Sequence, residues 1–208
     1  MSQPPVPSAA EQVVLLSESG ESIGVADKLA VHGEDTPLHL AFSCHVFDAR
    51  GRVLVTRRAI TKPTFPGVWT NAFCGHPGPD ENIEDAVRRR GLRELALPLG
   101  ELDLVLPDFR YRAVDAGGVV ENEICPVYRT VARDDPMPKP DEVDDWAWVA
   151  PSELMKAVTA TPFAFSPWLV LQLQQGALEH KAKAISGLRR DASADGRLGR
   201  RVSGQDGT

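Results

Sequence analysis

The sequence predicts an α+β fold in which a mixed β-sheet forms the core and helices flank it. Three observations predict it: strand-like segments are many, helical segments are few, and the two kinds do not alternate strictly along the chain. The 208 residues suit one domain, and the 42% hydrophobic content favours a packed core over a disordered chain.

The strand-like segments begin with an apolar alternation. Every second residue from Leu40 to Val46 is apolar, which predicts a strand with at least one buried face. A turn at residues 48–51 separates it from a second apolar segment at residues 52–57, so the two segments predict a hairpin. Further strands are predicted at residues 68–70, 104–115, 119–131 and 143–149.

The helical segments lie in the second and last parts of the chain. Apolar residues recur at helical spacing between residues 81 and 97, and Pro98 is expected to end that helix. Pro151 predicts the start of a short helix. Ser166 followed by Pro167 predicts another start, with a capping side chain and then proline at the first helical position.

Composition limits the organisation and the possible partners. We expect a flexible lead at residues 1–10, one domain at residues 11–185, and a disordered tail rich in Gly, Arg, Asp and Ser at residues 186–208. The net charge of −6 argues against nucleic-acid binding, and no apolar run is long enough to cross a membrane. The start of the chain does not resemble a secretory signal. These observations predict a cytoplasmic protein, and we expect a monomer or a weak homodimer.

Histidines and glutamates form one candidate site. His32, His39 and His76 lie in the first part of the chain, and Glu121 and Glu123 are two residues apart on a predicted strand, so their side chains emerge on one face. Imidazoles and carboxylates together suit a divalent metal such as Mn²⁺, Zn²⁺ or Mg²⁺. The residues alone also allow surface histidines and a solvated strand face, because no compact ligand motif is present.

Cysteines form a second candidate. Three cysteines in a chain of this length do not make a disulfide framework. Cys74 precedes Gly75, which permits a sharp turn that could expose the sulfur, whereas a buried structural role is the alternative. Cys44 and Cys125 are expected to be buried and structural.

Basic and aromatic residues could likewise belong to a binding site or have an ordinary surface or core role. Lys28, Arg58 and Lys62 could clamp a phosphate, as could Arg57, or they could be solvated charges at hairpin edges. Tyr111 and Trp168 could line a pocket or pack in the core. The residue types alone do not decide between these interpretations.

Several longer motifs bear on these choices. They are HLAF at residues 39–42 with LVTRRA at 54–59, PGVWTNAFCGHP at 66–77, YR at 111–112 with VENEICP at 120–126, and TPFAFSPW at 161–168. In this content and order the chain closely resembles the type 1 isopentenyl-diphosphate isomerases, from about Val13 to His180. The resemblance implies a Nudix-like fold and a small isoprenoid diphosphate as the substrate.

The resemblance also implies a role for each matching residue. Cys74 and Glu123 would be the two proton-transfer groups, with Tyr111 beside Glu123, and Glu94 with the Cys74 carbonyl would hold a Mg²⁺ that meets the diphosphate. Mn²⁺ or another divalent metal would be held by His32, His39, His76, Glu121 and Glu123. The diphosphate would be held by Lys28, Arg58, Lys62 and Arg90, and Trp168 would face the hydrocarbon end.

The same fold family raises the alternative of a Nudix hydrolase. Gly78, Glu84 and Arg93–Glu94 resemble part of the Nudix box, but two further glutamates are replaced by Leu97 and Pro98. A helix without that acidic pair would hold the hydrolytic metals poorly, which favours the isomerase. A metal-stabilised binding module without catalytic activity is the third hypothesis.

Overall fold

The computed structural model describes residues 12–28 and 30–179. The expected lead at residues 1–10 and the expected tail at residues 186–208 lie outside the described residues. Three α-helices are described, α1 Ile83–Leu95, α2 Pro151–Ala160 and α3 Pro167–Gln174, with a 3₁₀ helix at Pro162–Ala164. The described strands are β1 Gln12–Leu16, β2 Ser22–Asp27, β3 His39–Leu40, β4 Phe42–Phe47, β5 Val53–Arg58, β6 Trp69–Thr70, β7 Phe73–Gly75, β8 Asp103–Leu106, β9 Arg110–Val114, β10 Val120–Ile124, β11 Val127–Val131 and β12 Val143–Val149.

The strands form two mixed sheets. The first has the order β2-β1-β3-β10-β9, and the second has the order β12-β5-β4-β11-β8, with β6 paired to β5 and β7 paired to β4. The pairs β3–β10 and β4–β11 are parallel, and the other pairs are antiparallel. The α+β class with a mixed-sheet core is confirmed.

Three stretches of chain pass from one sheet to the other. The segments predicted as single strands at residues 104–115 and 119–131 are each broken in two, as is the alternating segment near residue 41. Proline explains two of the breaks, because Pro107 and Pro126 cannot donate to a strand ladder. The crossing points are joined by hydrogen bonds, for example from Ala41 N to the Ile124 carbonyl (2.9 Å).

Two local elements were not predicted. The hairpin of β1 and β2 turns at Gly20, which has a φ of 84° and so a conformation that glycine adopts without strain. β7 occupies the place where a turn was expected after Cys74. Gly75 does not make that turn: a Cβ on it would lie 2.7 Å from the Phe42 ring, so its role is to allow close packing.

The helices begin as predicted, and one ends earlier. In α1 the Asn82 side chain accepts a hydrogen bond from Glu84 N (2.8 Å), and in α3 the Ser166 side chain caps the helix before Pro167. α1 ends at Leu95 because Ala96 adopts a left-handed conformation with a φ of 52°, before Pro98 is reached.

The core lies between and around the two sheets. One apolar cluster packs α1 against the second sheet through Ala86, Val87 and Leu95. Another surrounds Trp168 and Tyr111 near the sheet crossings, and a third packs α2 and α3 against β5. Among the described residues, no helix is both long enough and apolar enough to cross a membrane.

Candidate active site

A pocket opens where the two sheets meet, beside the crossing points described above. Its volume is about 190 Å³. This is small compared with the roughly 300–1,000 Å³ of sites for drug-sized ligands, so it suits a small substrate better than a nucleotide. The wall is formed by Lys28, His32, Arg58, Lys62, Pro63, Thr64, Cys74, Gly75, His76, Arg90, Tyr111, Val119, Glu121, Glu123 and Trp168.

Histidine and glutamate side chains meet at one end of the pocket. Possible ligand atoms of His32, His39, His76 and Glu123 all lie within 4.8 Å of one another. Glu123 Oε1 is 3.1 Å from His76 Nε2 and 3.5 Å from His39 Nε2. Glu121 joins the group, since its Oε2 is 3.1 Å from His32 Nε2. We call these five residues the His/Glu cluster.

Main-chain carbonyls fix the orientation of two imidazoles in the His/Glu cluster. His39 Nδ1 lies 2.9 Å from the Pro37 carbonyl, and His32 Nδ1 lies 3.3 Å from the Lys28 carbonyl. A carbonyl can only accept, so each Nδ1 carries the proton and each Nε2 presents its lone pair to the cluster. Neither Nε2 makes a well-directed hydrogen bond, and the same is true of Glu121 Oε2.

The electrostatics of the His/Glu cluster favour an anionic Glu123 carboxylate beside a neutral His76 ring. Burial opposes charge on Glu123, but the His39 and His76 imidazoles beside it hold the pKa of that carboxyl well below its usual range. Burial lowers the pKa of His76 to about 4, although Glu123 works in the opposite direction. Burial would also lower the pKa of His39, but Glu123 raises it above the ordinary value.

The donor set of the His/Glu cluster fits a divalent metal ion. Three imidazoles and two carboxylates are the mixed N and O ligands that Mn²⁺, Zn²⁺ and related ions accept. Ligating histidines usually donate their other N–H to a carbonyl or carboxylate, as His32 and His39 do here. His32 Nε2, His39 Nε2 and Glu121 Oε2 lack directed partners and are therefore atoms that would face an ion.

Cationic side chains gather at the other end of the pocket. Lys28, Arg58, Lys62 and Arg90 all reach the wall, and Glu142 carries a carboxylate that binds both Lys62 and Arg90. Burial opposes charge on Glu142, but Arg90 and Lys62 lower its pKa to about 2. We call the four cations the cationic end.

The individual cations are held differently. Burial, together with the nearby charges of Arg90 and Lys62, lowers the pKa of Lys28 to about 8. Arg58 donates to the Thr64 and Phe65 carbonyls, and its guanidinium carbon lies 5.6 Å from the centre of the Trp168 ring. Arg57, by contrast, pairs with Asp144 on an exposed edge.

Glu94 lies behind the cationic end and does not form part of the pocket wall. It faces Arg90 from one turn further along α1, with Oε2 2.7 Å from Arg90 Nη2. Burial raises the pKa of Glu94, although Arg90 opposes that effect. Its Oε2 is buried and makes no well-directed hydrogen bond, so it remains available as an oxygen ligand close to the cations.

Cys74 is half-buried on β7, at the pocket wall between the two ends. Its sulfur contacts Ser43 Oγ at 3.1 Å and Asn71 Oδ1 at 3.4 Å. Burial raises the pKa of the thiol to about 12, so Cys74 is protonated in the unliganded protein. Cys44 and Cys125 are buried, as expected, and all three thiols are free.

Aromatic rings close the pocket around Cys74. Tyr111 is the direct register partner of Glu123 across β9 and β10. Its ring centre is 5.6 Å from that of Trp168, which in turn packs edge-on against Phe65 at 5.2 Å. Tyr111 and Trp168 therefore have both of the predicted roles, because both rings are buried in the core and both line the pocket.

Comparison with known proteins agrees with this geometry. The sequence model of the NUDIX domain matches residues 37–169. The chain is 61% identical to an isopentenyl-diphosphate Delta-isomerase of Clavibacter michiganensis over 91% of this chain and 96% of that protein. It is 64% identical to an enzyme of the same name from Agromyces mediolanus over 80% of this chain and 81% of the relative.

The chain belongs to the isopentenyl-diphosphate Delta-isomerase family. A solved structure from Deinococcus radiodurans superimposes with a TM-score of 0.62, at 19% identity, over 79% of this chain and 98% of that one, which supports the fold alone. The segment that resembles part of the Nudix box leads into α1. Here Glu84 is exposed and Leu97 is buried, so that Glu94 is the carboxylate α1 brings to the site.

Sequence reasoning identified most of this site but missed four contributors. The structure brings the predicted residues to one place, with His39 and Glu94 just behind the pocket wall. It adds Glu142, which binds two of the cations, and three residues around the Cys74 sulfur, namely Ser43, Asn71 and Gln172. Asn71 lies inside the PGVWTN motif, but no sequence signal marked the other three.

Proposed function

We propose that the chain interconverts isopentenyl diphosphate and dimethylallyl diphosphate by moving a proton on and a proton off the hydrocarbon chain. The observation that carries this proposal is the pocket itself, in which Cys74 and the His/Glu cluster lie close to the cationic end within one small volume. The relatives that match over most of the chain bear the same activity in their names.

The cationic end suits a diphosphate. Four cations face two carboxylates there, which leaves an excess of positive charge for an anionic ligand. Binding energy from this charged end would hold the alkene in position at the other end. Mg²⁺ would be held by Glu94 and the Cys74 carbonyl beside the diphosphate, and it would neutralise charge there.

The other end suits proton transfer to and from carbon. Isomerisation requires one carbon of an unactivated alkene to be protonated and another to lose a proton, through a carbocation-like state. Cys74 and Glu123 would be the two groups, with Tyr111 next to Glu123. Trp168 offers an aromatic face to the positive charge, worth about 2 kcal/mol when desolvated. The packed rings of Phe65, Tyr111 and Trp168 would exclude the water that quenches such a cation.

The His/Glu cluster would hold Mn²⁺ or another divalent ion, and that ion would supply positive charge next to Glu123. The chain's own contribution is to fix each ligand. The Pro37 and Lys28 carbonyls orient His39 and His32, and strand pairing sets Glu123 beside both His39 and Tyr111.

The test is NMR of the purified chain with isopentenyl diphosphate and Mg²⁺ in D₂O. We expect dimethylallyl diphosphate to form, to contain deuterium, and to accumulate without phosphate or pyrophosphate release. Release of either would instead identify a hydrolase. An unchanged substrate with metal bound would identify a binding module, and either result would overturn the proposal.

A further inference from the structure

A continuous line of buried polar groups leads away from the Cys74 sulfur into the core. Ser43 Oγ lies 3.1 Å from Cys74 Sγ, Gln172 Nε2 lies 2.8 Å from Ser43 Oγ, and His45 Nε2 lies 3.0 Å from Gln172 Oε1. Ser43, His45 and Gln172 are all fully buried, and none of them reaches the pocket. We call this series the Cys74 hydrogen-bond chain.

The donor and acceptor of each bond in the Cys74 hydrogen-bond chain follow from its inner end, at His45. Burial lowers the pKa of His45 to about 4, so the ring is neutral and carries one N–H. Its Nδ1 is buried without a partner, and a buried N–H without an acceptor is rare, so the proton is on Nε2. His45 therefore donates to Gln172 Oε1, and Gln172 must donate through Nε2 to Ser43.

The Ser43 hydroxyl can donate one hydrogen bond, and one acceptor remains for it. Its oxygen accepts from Gln172 and also faces the Cys125 thiol at 3.6 Å. The remaining partner is Cys74 Sγ, so the Ser43 hydroxyl donates to that sulfur. Each link in the Cys74 hydrogen-bond chain points toward Cys74.

The opposite side of the sulfur faces an acceptor whose orientation is also fixed. Asn71 Nδ2 donates to the Cys44 and Phe73 carbonyls, and Asn71 Oδ1 accepts from the Trp168 indole N–H at 2.9 Å. Because the indole N–H can only donate, Asn71 cannot be flipped. Cys74 thus gives its own S–H to Asn71 and receives the O–H of Ser43.

We infer that Ser43 and Gln172 are positioning residues for the proton-transfer step, supplying an O–H hydrogen bond that strengthens when the Cys74 sulfur is without its proton. This inference rests on the proposed function. One proton moves between Cys74 Sγ and a substrate carbon, and while carbon holds it the sulfur keeps the electron pair and a negative charge. A hydrogen bond to a charged sulfur is stronger than one to a neutral thiol, so the contribution falls on the reaction and not on substrate binding.

The experiment compares kcat and KM for isopentenyl diphosphate in the wild-type chain, Ser43→Ala and Ser43→Thr. We expect Ser43→Ala to lower kcat about 10- to 100-fold with KM within a factor of two. Ser43→Thr keeps the hydroxyl and should recover most of that loss. Ser43→Ala with a kcat within twofold of wild type would overturn the inference.

Gln172→Met provides an independent test, because it keeps the side-chain length and removes the amide. We expect a kcat decrease of about three- to tenfold without a change in KM, and no change for the matched control Gln174→Met on the exposed face of α3. If Ser43→Ala fails to fold, the comparison of Gln172→Met with Gln174→Met tests the inference by itself. Equal kcat values in these two variants would overturn it. A wild-type chain without isomerase activity would overturn the proposed function, whereas active wild-type protein with active variants would overturn the inference alone.

Discussion

The two ends of the pocket are built on opposite electrostatic principles. At the cationic end, charged side chains pair with one another, Lys62 and Arg90 with Glu142, and Arg90 also with Glu94. At the His/Glu cluster, buried lone pairs lack directed partners. One end compensates its own charge and could exchange partners with a ligand, and the other end presents donor atoms that suit a divalent ion.

The difference teaches how binding and chemistry are divided. Side chains of the cationic end come mainly from a loop, a strand end and α1, and in the proposed function they hold the part of the substrate that does not react. In the His/Glu cluster, His39, Glu121 and Glu123 lie on short paired strands at the sheet crossings, and Cys74 lies on the paired strand β7. His32 and His76 lie in loops beside these strands. Changes at the first end should act on KM, and changes at the second should act on kcat and metal content.

The largest effect is expected from Glu123→Gln. The substitution removes a carboxylate that contacts two imidazoles and that the proposed function uses as a proton-transfer group. We expect metal at the His/Glu cluster to be lost and kcat to fall by about 10⁴-fold. Metal content is measured by atomic emission on dialysed protein, with Glu81→Gln as the control. Full metal occupancy in Glu123→Gln would show that Glu123 is not a required ligand.

Cys74→Ala should nearly abolish isomerisation while leaving the metal in place. Loss of a positioned proton-transfer group costs about 10²- to 10⁴-fold in rate. Initial rates by NMR measure the loss, and circular dichroism checks that the variant is folded. Cys44→Ala removes a buried thiol of the core cluster and should keep its kcat. A kcat for Cys74→Ala within tenfold of wild type would contradict the role assigned to this sulfur.

At the cationic end, Arg90→Lys should raise KM about tenfold and change kcat by less. Lysine keeps the charge but loses the fork of donors that arginine presents to carboxylates and phosphates. Arg88→Lys, on an exposed position of the same helix, is the matched control. If Arg90→Lys lowers kcat and leaves KM unchanged, the proposed division between the two ends is wrong.

The smallest effect is expected in the pH dependence of KM. The pKa of Lys28 is lowered to about 8 by burial and by Arg90 and Lys62. The charged ammonium is the form that binds a diphosphate, so affinity is complete below pH 8 and weakens as pH rises through that value. We expect KM to rise severalfold between pH 7.5 and 9.5, and Lys28→Arg to flatten the profile because arginine stays charged. An unchanged slope in Lys28→Arg would assign the titration to another group.

Local pattern predicted the elements better than their connections. The start of α3 was predicted from Ser166 and Pro167, because a capping side chain followed by proline favours a first helical turn. The apolar spacing at residues 81–97 predicted α1, which occupies Ile83–Leu95. The long segments 104–115 and 119–131 each change sheets part-way along. Alternation of apolar residues does not show that, because both halves pair with neighbours distant in sequence.

The sequence by itself determined the fold class, the family motifs and most residues of the site, because residue types at fixed spacing carry that information. Tertiary structure alone decided that Glu142 binds Lys62 and Arg90, and that Gln172 meets Ser43 behind the Cys74 sulfur. These contacts join residues 52 to 129 positions apart. The pairing of β5 with β12 and the packing of the helices against the sheets bring such residues within hydrogen-bond distance, and no local periodicity records it.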